Sequence, residues 1–518
     1  MKDFRYCKSI VGGSCMIVLS EKSVFIGKRN LSTRPAPLDL FPTLCSVHLP
    51  PTTRTPATFS MTSGTDWTCD ANEALRLSLV RAKDDKTSLT SREAYEGFHP
   101  TFTYPIYGED EKIYGYNDLV IDLKFASGSL ATYLHVGYSS KLPINTPSAG
   151  VIDDVEGKLR DFIPGDYSTS LPEFLEQVES DALSFRPYGE KIYSYSRPAS
   201  CLMRRRLEKE NEALNTEKEN GNGRNVVGIT QVLSPEDEET VEFEVYHSTW
   251  ATPGFREYHR RMQLFILLYI EGGSYINEEE DVWEFVVLYE KRKRRHSPEI
   301  STYHFIGYST LYPFYCFPEK HRMRLSQFVI LPPYQQEGHG SALYTSIYQY
   351  ILSKPMLAEL TVEDPAEAFE DLRDRNDLKM LLSNQEFMKE AFGDGGSNGG
   401  GKVAKVKTRT RPAGSGAKGG KGGKLGPPSD KAWMEKWRIG LKIASRQFNR
   451  LMEMLIQRSL DPSDTSGWKA YRLQVKERLY RFNFEVLMQL DKPERQQKLE
   501  ETFQSVKDDY DRILGMIH

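Results

Sequence analysis

The stretch SQFVILPPYQQEGHGSALY, residues 326–344, contains the turn that decides the fold of this chain. Its apolar run QFVIL is typical of a buried strand, and the run LYTSIYQYIL that begins near its end has the periodicity of an amphipathic helix. A glycine-rich turn between a strand and a helix exposes backbone N–H groups, and the helix N-terminus adds roughly half a positive charge. Gly338 and Gly340 leave room for a phosphate to approach the backbone. The stretch therefore predicts a phosphate-binding turn in an α/β fold.

Two common phosphate motifs do not match this turn. A P-loop requires GxxxxGK[ST] and a dinucleotide-binding turn requires GxGxxG, whereas this turn reads QxxGxG. On the turn alone a second interpretation stays open, in which the glycines serve only the close packing of the helix. The sequence on either side has to decide between the two.

Composition bounds the class of protein. A chain of 518 residues is long enough for about three domains of ~150 residues each. Its 68 Lys and Arg nearly balance 72 Asp and Glu, so a charged partner must be read from local clusters. The longest apolar runs, FILLYI and CMIVL, are far shorter than the ~18 residues of a membrane span. Six cysteines without a CxxC spacing argue against a disulfide framework or a zinc site, and indicate a reduced intracellular compartment.

Composition also divides the chain into five regions. Residues 1–65 are basic at first and then rich in Ser, Thr and Pro, which predicts either a disordered extension or a stretch ahead of a true start near Met61. The Gly/Lys-rich composition within 385–430 cannot bury enough apolar surface to fold, and predicts a flexible linker. The other three regions are an N-terminal mixed α/β domain at 66–240, a second α/β domain at 241–384 and a helical domain at 431–518.

Periodicity predicts the main elements within these regions. Apolar residues from Phe255 to Tyr269 recur at steps of three and four, which predicts a helix that begins near Pro253. The other predictions are a hairpin of 119–125 with 130–138, a helix at 172–183, strands at 282–290, 303–317 and 357–365, and a loop, KRKRRHSPEIST, between the first two of those strands. The run KRKRRH in that loop suits either a nuclear localisation signal or plain solubility.

Several strings around the turn decide its interpretation. GFREYH, LLYIEGGSYI, IGYSTLY, HRMRLSQFVILPPYQQEGHG and LTVEDPAEAFEDLRD, in this order, resemble the type B histone acetyltransferase catalytic subunit of the GCN5-related acetyltransferase superfamily. The superfamily signature is [QR]xxGx[GA], which Gln335, Gly338 and Gly340 match. The resemblance covers residues 98–384 well and the C-terminal helices loosely. It implies an α/β (α+β) fold with a mixed, mostly antiparallel central sheet flanked by helices, in which 241–384 binds acetyl-CoA and carries out catalysis.

The resemblance implies acetyl-CoA as the co-substrate and no metal. Members of the family place the pantetheine arm against the backbone of the strand before the turn. In this chain that strand supplies Phe328, Val329 and Ile330. The pyrophosphate lies on the turn, which here comprises Gln335, Gln336, Glu337, Gly338, His339, Gly340 and Ser341.

Acetyl transfer to lysine requires a base. A lysine amine has an unperturbed pKa of ~10.4, so roughly one in a thousand is uncharged at neutral pH. The family's acid/base carboxylates match Glu271, Glu363 and Asp364. Strand alternation favours Glu363, because it points away from the apolar face of Leu360 and Val362. Without the resemblance, the Glu363-Asp364-Pro365 turn reads as a solvated strand end at which Asp364 caps the next helix.

The resemblance also implies a histone-binding surface. The acidic turn Glu109-Asp110-Glu111, the aromatic Trp283 and the strand segment Tyr312-Pro313-Phe314 match histone-contacting positions. Acidic turns here and at 276–281 suit a basic tail, although charge runs are more often solvated loops. The implied partners are the tail of free histone H4 and a WD40-repeat histone-binding subunit, in cytoplasm and nucleus, with no direct nucleic acid and no membrane.

Three functions are compatible with these residues. An intact QxxGxG turn together with Glu363 favours an enzyme that acetylates lysines of the histone H4 tail. A histone carrier would keep the fold and the acidic surface but lose efficient chemistry. An acetyltransferase acting on another amine is the third, and the long N-terminal region argues against it.

Overall fold

The computed structural model describes residues 67–89, 93–143, 152–198, 240–362, 364–393 and 423–517. The predicted extension at 1–65, nearly all of the charged stretch at 204–240 and most of the Gly/Lys linker lie outside these ranges, as does Glu363.

The N-terminal region contains eight short strands, four of which form one sheet. The strands of this region are β1 (Thr68–Asp70), β2 (Leu75–Val80), β3 (Glu96–Phe98), β4 (Lys112–Tyr114), β5 (Tyr116–Asn117), β6 (Val120–Ala126), β7 (Thr132–Gly137) and β8 (Ser140–Lys141). Its helices are α1 (Ala71–Ala74), α2 (Lys83–Lys86), α3 (Tyr104–Tyr107), α4 (Val155–Arg160) and α5 (Leu171–Ser184). The sheet has the order β3-β2-β6-β7, and the antiparallel β6–β7 pair confirms the predicted hairpin. Helix α5 confirms the predicted helix at 172–183.

A six-stranded sheet forms the centre of the molecule. It comprises β9 (Glu190–Pro198), β10 (Thr240–Thr249), β11 (Glu284–Arg294), β12 (Ser297–Cys316), β13 (Lys320–Ile330) and β14 (Leu357–Val362). The strand order is β14-β13-β12-β11-β10-β9, and every neighbouring pair is antiparallel except β13 with β14. The sheet is therefore mixed and mostly antiparallel, as predicted, and it includes β9 from ahead of residue 240.

Helices cover the sheet and close the chain. They are α6 (Phe255–Met262), α7 (Leu264–Tyr269), α8 (His339–Ser353), α9 (Glu367–Ser383), α10 (Gln385–Phe392), α11 (Lys431–Gly440), α12 (Ser445–Ser459), α13 (Thr465–Phe482), α14 (Phe484–Leu487) and α15 (Lys492–Gly515). The helix predicted to begin near Pro253 is present as two helices, α6 and α7, which meet at Gln263. The helical C-terminal region is confirmed.

The prediction of a loop between β11 and β12 is wrong. Strand β11 continues to Arg294 and β12 begins at Ser297, so most of KRKRRHSPEIST lies in a long hairpin. Acidic partners hold the basic side chains there, and all of them except Glu290 are distant in sequence. Lys291 pairs with Glu242 and Glu244, Arg292 with Glu93 and the nearby Glu290, and Arg294 with Asp85. Three of the basic residues therefore stabilise the fold, which neither a targeting signal nor simple solubility predicts.

The region predicted to be a flexible linker is ordered at both ends. Residues 385–392 form α10. From residue 423 onward the chain is described again and contacts the C-terminal end of α10. The N–H groups of Lys424 and Leu425 donate there to the carbonyls of Glu390 and Ala391, at 3.1 and 3.0 Å. Leu425 is fully buried in the core. Across the described ranges, no helix is both long enough and apolar enough to cross a bilayer.

Candidate active site

An open strand edge lies at the centre of the sheet. Parallel pairing of β13 with β14 runs from His321 to Leu325 and ends there, opposite Val362. Residues 326–330 of β13 continue as a strand, and among the described strands they pair only with β12. The two parallel strands therefore separate and leave one edge of β13 available to a ligand.

The register of β13 shows which backbone groups face this open edge. The N–H of Leu331 donates to Ile306 of β12 at 2.9 Å, and alternate residues of an antiparallel strand face the same neighbour. The backbone N–H and C=O groups of Val329 therefore point toward β12. Those of Phe328 and Ile330 point toward the open edge. Of the three strand residues predicted to bind the cofactor, Phe328 and Ile330 have backbone groups in position to do so.

The turn after β13 presents the N-terminus of α8. Gly338 is the N-cap residue, with a left-handed φ of +79°, and no side chain among the described residues caps the helix. The first N–H groups of a helix have no partners within it, so those of Gly340 and Ser341 are directed to where an anion would bind. Gln336 also has a left-handed φ, +59°, which completes the reversal of the chain. The predicted succession of a strand, a turn and a helix is thus present, and the helix has 15 residues.

The two glycines of the turn have different roles. A Cβ on Gly340 would lie 2.8 Å from Leu372 Cδ1 of α9, so this glycine permits close helix packing. A Cβ on Gly338 would lie 2.8 Å from the Arg197 guanidinium, on the outer side of the turn. The interpretation that a glycine serves close helix packing thus applies to Gly340. At position 338 glycine is favoured because φ is left-handed and a Cβ would contact Arg197.

Three side chains of the turn support its structure rather than face a ligand. Gln335 Nε2 donates to the carbonyl of Ile330 at 2.8 Å and so ties the turn to β13. His339 is buried, with its Nδ1 2.7 Å from the Tyr195 hydroxyl and its ring 4.6 Å from that of Phe243. Burial raises the pKa of Tyr195, so its hydroxyl stays protonated in this pair. Ser341 Oγ accepts from Asn376 at 3.1 Å. Any contact of His339 with a cofactor is therefore through its backbone.

Arg197 is a residue at this turn that the sequence does not reveal. It lies on β9, and its Nη2 donates to the carbonyl of Gly338 at 3.0 Å. Its guanidinium lies 5.0 Å from the centre of the Tyr195 ring. The segment 335–341 itself has no Lys or Arg, so Arg197 brings a positive charge to a turn that lacks one. No local motif marks it, because its position depends on β9 joining the central sheet.

The predicted acid/base carboxylates are placed only in part. Glu363 lies outside the described residues. Asp364 is exposed and has a left-handed φ of +46°, an uncommon conformation for a residue other than glycine. It does not cap the next helix, because the N-cap of α9 is Ala366, so the predicted capping role is wrong. Its exposure agrees with the solvated strand end of that alternative. Glu271 is exposed just after α7.

The acidic turn does not act as a unit. The carboxylate of Glu111 accepts hydrogen bonds from the backbone N–H groups of Thr103 and Tyr104, at 2.7 and 3.1 Å, and from Asn72 at 2.8 Å. Glu111 therefore stabilises the start of α3. Glu109 and Asp110 are exposed, and they alone are available to a basic peptide.

The predicted aromatic positions form one continuous strip. The ring of Tyr312 lies 4.8 Å from Trp283 on one side and 4.8 Å from Phe314 on the other. Arg324 lies 4.4 Å above the ring of Phe314. Pro313, between the two aromatics, is half-buried on β12. The strip leads to the end of β12 and the turn after it, where Tyr315 and Phe317 are 67% and 84% exposed.

Two family models match this chain, one in its N-terminal half and one near its C-terminus. The family described as histone acetyl transferase HAT1 N-terminus matches residues 67–271, and fungal HAT1, C-terminal, matches residues 423–461. A protein of Cryptococcus neoformans var. neoformans, named histone acetyltransferase type B catalytic subunit, is 47% identical over 454 residues, which are 87% of this chain and 98% of that protein. The chain belongs to the type B histone acetyltransferase catalytic subunit family.

Other members of this family extend the match. A protein of the same name from Mycosarcoma maydis is 44% identical over 423 residues, 81% of this chain and 83% of that protein. A human protein of that name is 28% identical over 468 residues, which are 87% of this chain and 93% of the human protein. Among solved structures, an aminoglycoside acetyltransferase from a soil metagenomic sample aligns with 28% of this chain and 87% of its own, at 13% identity and a TM-score of 0.19. As a member of the type B family, the chain is an acetyltransferase, as predicted.

Proposed function

We propose that this enzyme transfers the acetyl group of acetyl-CoA to lysine ε-amines in the N-terminal tail of free histone H4. The observation that carries the proposal is the junction of an open β13 edge with the uncapped N-terminus of α8, on the residues that match the acetyl-CoA signature. A pantetheine arm needs a row of backbone groups, and a pyrophosphate needs clustered N–H donors. The site supplies both within one turn of chain.

The residues present fit acetyl-CoA. Backbone groups of Phe328 and Ile330 would hold the pantetheine arm, and the N–H groups of Gly340 and Ser341 would hold the pyrophosphate. Acetyl-CoA supplies the activated thioester. The chain's contribution at the phosphate end is electrostatic, from the helix N-terminus and the nearby Arg197. Because these donors are held in place before the ligand arrives, little ordering of the backbone opposes binding.

The acceptor lysine must lose a proton before it attacks. We assign the principal base to Glu363, with Asp364 and Glu271 as the other candidates. A carboxylate of ordinary pKa ~4.3 becomes an effective base when desolvation by bound substrate raises its pKa toward neutrality. The exposure of Asp364 and Glu271 in the free protein is compatible with this role, because the substrate itself would exclude the water.

The histone tail would bind on the acceptor side. Glu109 and Asp110 are exposed carboxylates suited to Lys and Arg. Of the aromatic strip, Phe314 is exposed and offers a surface to the tail, whereas Tyr312 is half-buried and Trp283 is buried behind it. We further propose a WD40-repeat histone-binding subunit as partner and activity in both cytoplasm and nucleus. In the folded protein KRKRRH would not serve as the import signal, since three of its side chains are engaged in ion pairs.

Mass spectrometry of a histone H4 tail peptide incubated with the protein and acetyl-CoA tests the proposal. We expect acetyl-lysine to accumulate, and to depend on Glu363 more than on Asp364 or Glu271 when each is replaced by its amide. A peptide with the same composition in scrambled order is the control for substrate recognition. Binding of both acetyl-CoA and the tail without any acetylation would instead identify a histone carrier. Equal acetylation of the scrambled peptide would favour a broader amine acetyltransferase.

A further inference from the structure

A buried network of charged groups lies beneath the phosphate-binding turn. Arg81, which follows β2 in the N-terminal region, pairs with Glu290 of β11, and each side chain is 1% exposed. Nη2 of Arg81 is 2.6 Å from Oε2 of Glu290, and Nη1 is 3.3 Å from Oε1. Arg292 contacts Glu290 and Glu93. Two arginines and two glutamates thus balance one another inside the protein.

Tyr334 connects this network to the turn. Its hydroxyl donates to Glu290 Oε2 at 2.8 Å and accepts from Arg81 Nη2 at 2.9 Å. Tyr334 ends a short 3-10 helix, Pro332–Tyr334, and is followed directly by Gln335, the first residue of the QxxGxG signature. Its ring lies 5.1 Å from that of Tyr95 and 5.8 Å from that of His339. The side chain therefore sits between the charged network and the base of the turn.

The electrostatics of the network keep it charged. Burial alone would raise the pKa of Glu290, but the adjacent Arg292 and Arg81 hold it well below its usual value. Burial, and then the charge of Glu290, raise the pKa of Tyr334, so its hydroxyl stays protonated and keeps donating. A buried hydrogen bond to a charged group is among the strongest available to a side chain. The position of the Tyr334 hydroxyl is accordingly well determined.

Other residues anchor the turn at later points. Gln335 is tied to Ile330, the carbonyl of Gly338 to Arg197, and the His339 ring to Tyr195. Gln336 and Gly338 both have left-handed backbone conformations. A rotation of the backbone at the entrance of the turn would therefore act first on this left-handed segment. The anchor at its entrance is Tyr334.

We propose that Tyr334, held by Arg81 and Glu290, is a positioning residue that fixes the phosphate-binding turn, so that the N-terminal region forms part of the acetyl-CoA site. This inference rests on the proposed function, because it assumes that acetyl-CoA is the ligand of the turn. It goes further in assigning a role to residues that do not touch the ligand. Arg81 and Tyr334 are 253 positions apart in sequence, and no motif joins them.

The test replaces Tyr334 by Phe, which removes the hydroxyl and keeps the ring. Variants of Arg81 or Glu290 are less informative, because either one leaves an unpaired buried charge and threatens folding. Tyr344→Phe is the matched control: the Tyr344 hydroxyl is also buried and also donates to a carboxylate, Asp377, at 2.8 Å, but it lies within α8 beyond the turn. Both variants should lose a similar amount of thermal stability.

Calorimetry with acetyl-CoA separates positioning from folding. We expect Tyr334→Phe to weaken acetyl-CoA binding at least fivefold and to raise its KM more than it lowers kcat, while the KM for the histone peptide stays the same. Tyr344→Phe should bind acetyl-CoA within twofold of the wild type. Hydrogen exchange of the segment 335–341, measured without ligand, should be faster in Tyr334→Phe only.

Three results would overturn the positioning role. They are unchanged acetyl-CoA affinity in Tyr334→Phe, equal weakening in both variants, and unchanged exchange of the turn. Wild-type protein that bound no acetyl-CoA would reject the proposed function itself. In that case faster exchange of the turn in Tyr334→Phe alone would still support the anchor as a structural feature, and unchanged exchange would reject it as well.

Discussion

Replacement of Gly338 by Ala tests whether the turn holds phosphate. The φ of +79° at Gly338 costs an L-residue about 1–2 kcal/mol, because its Cβ crowds the adjacent carbonyl. The new methyl group would also lie 2.8 Å from Nη1 and 3.0 Å from Nη2 of Arg197, closer than such atoms approach, so the guanidinium must move. We expect a loss of stability of that size, and a rise in the Kd for acetyl-CoA of at least tenfold, about 1.4 kcal/mol.

Gly97→Ala is the matched control for this change. Gly97 has a φ of +73°, and a Cβ built there meets nothing within 4 Å among the described residues. The two variants therefore share the backbone strain but differ in location, since Gly97 lies on β3 of the N-terminal sheet. Thermal melts should show similar losses of stability, and calorimetry should show weakened acetyl-CoA binding only for Gly338→Ala. If both variants bound acetyl-CoA equally well, the turn would not be the phosphate site.

Three further predictions test other parts of the chain. The combined change of Glu109→Lys and Asp110→Lys should raise the KM for a histone peptide, and the rise should be smaller at high salt. Glu111→Gln should mainly lower the melting temperature, because the Glu111 carboxylate accepts hydrogen bonds from backbone N–H groups. Glu363→Gln should reduce turnover by roughly 10² to 10⁴ with acetyl-CoA affinity unchanged, and by less as pH approaches the pKa of lysine; wild-type turnover would reject it as the base. Burial raises the pKa of Asp377 to about 6, above its unfolded value, so the native state binds the extra proton and this group's stabilisation is lost as pH rises through about 6. Asp377→Asn should remove that part of the pH dependence of the melting temperature between about pH 4 and 6, and a parallel profile for the variant and the wild type would contradict the assignment.

The part of the fold that sequence predicts is local. The strand, turn and helix around Gly338 follow from an apolar run, two glycines and a helical period, which are all properties of adjacent residues. The mixed sheet follows from resemblance to a family, because strand order is a property of the whole chain. The separation of β13 from β14 beyond Leu325, which opens the site, has no signature in the residues that flank it.

The parts that sequence misses depend on distant partners. KRKRRH has the composition of an exposed loop, yet Arg292 and Arg294 are each 8% exposed. Glu93 and Asp85, which lie 199 and 209 positions away, neutralise them together with the neighbouring Glu290. The sequence also does not show which way a side chain points, because that depends on the contacts it makes in the folded protein. His339 and Gln335 lie within the signature and resemble ligand-binding residues, but their side chains bind Tyr195 and the Ile330 carbonyl. A motif identifies where a ligand binds more readily than which atoms bind it.

The edge of β13 that no described strand pairs with has a consequence for the lifetime of the protein. Backbone groups at such an edge lack a neighbouring strand as hydrogen-bond partner until a ligand covers them. An acetyl-CoA molecule lying along 326–330 would occupy that edge and also stabilise the native state, by about 2.7 kcal/mol when its concentration is 100 times its Kd. A cell short of acetyl-CoA would then hold less of this enzyme as well as less substrate for it, because the uncovered form unfolds and is degraded more readily. Abundance of the protein would in this way follow the metabolic state of the cell without any dedicated regulator.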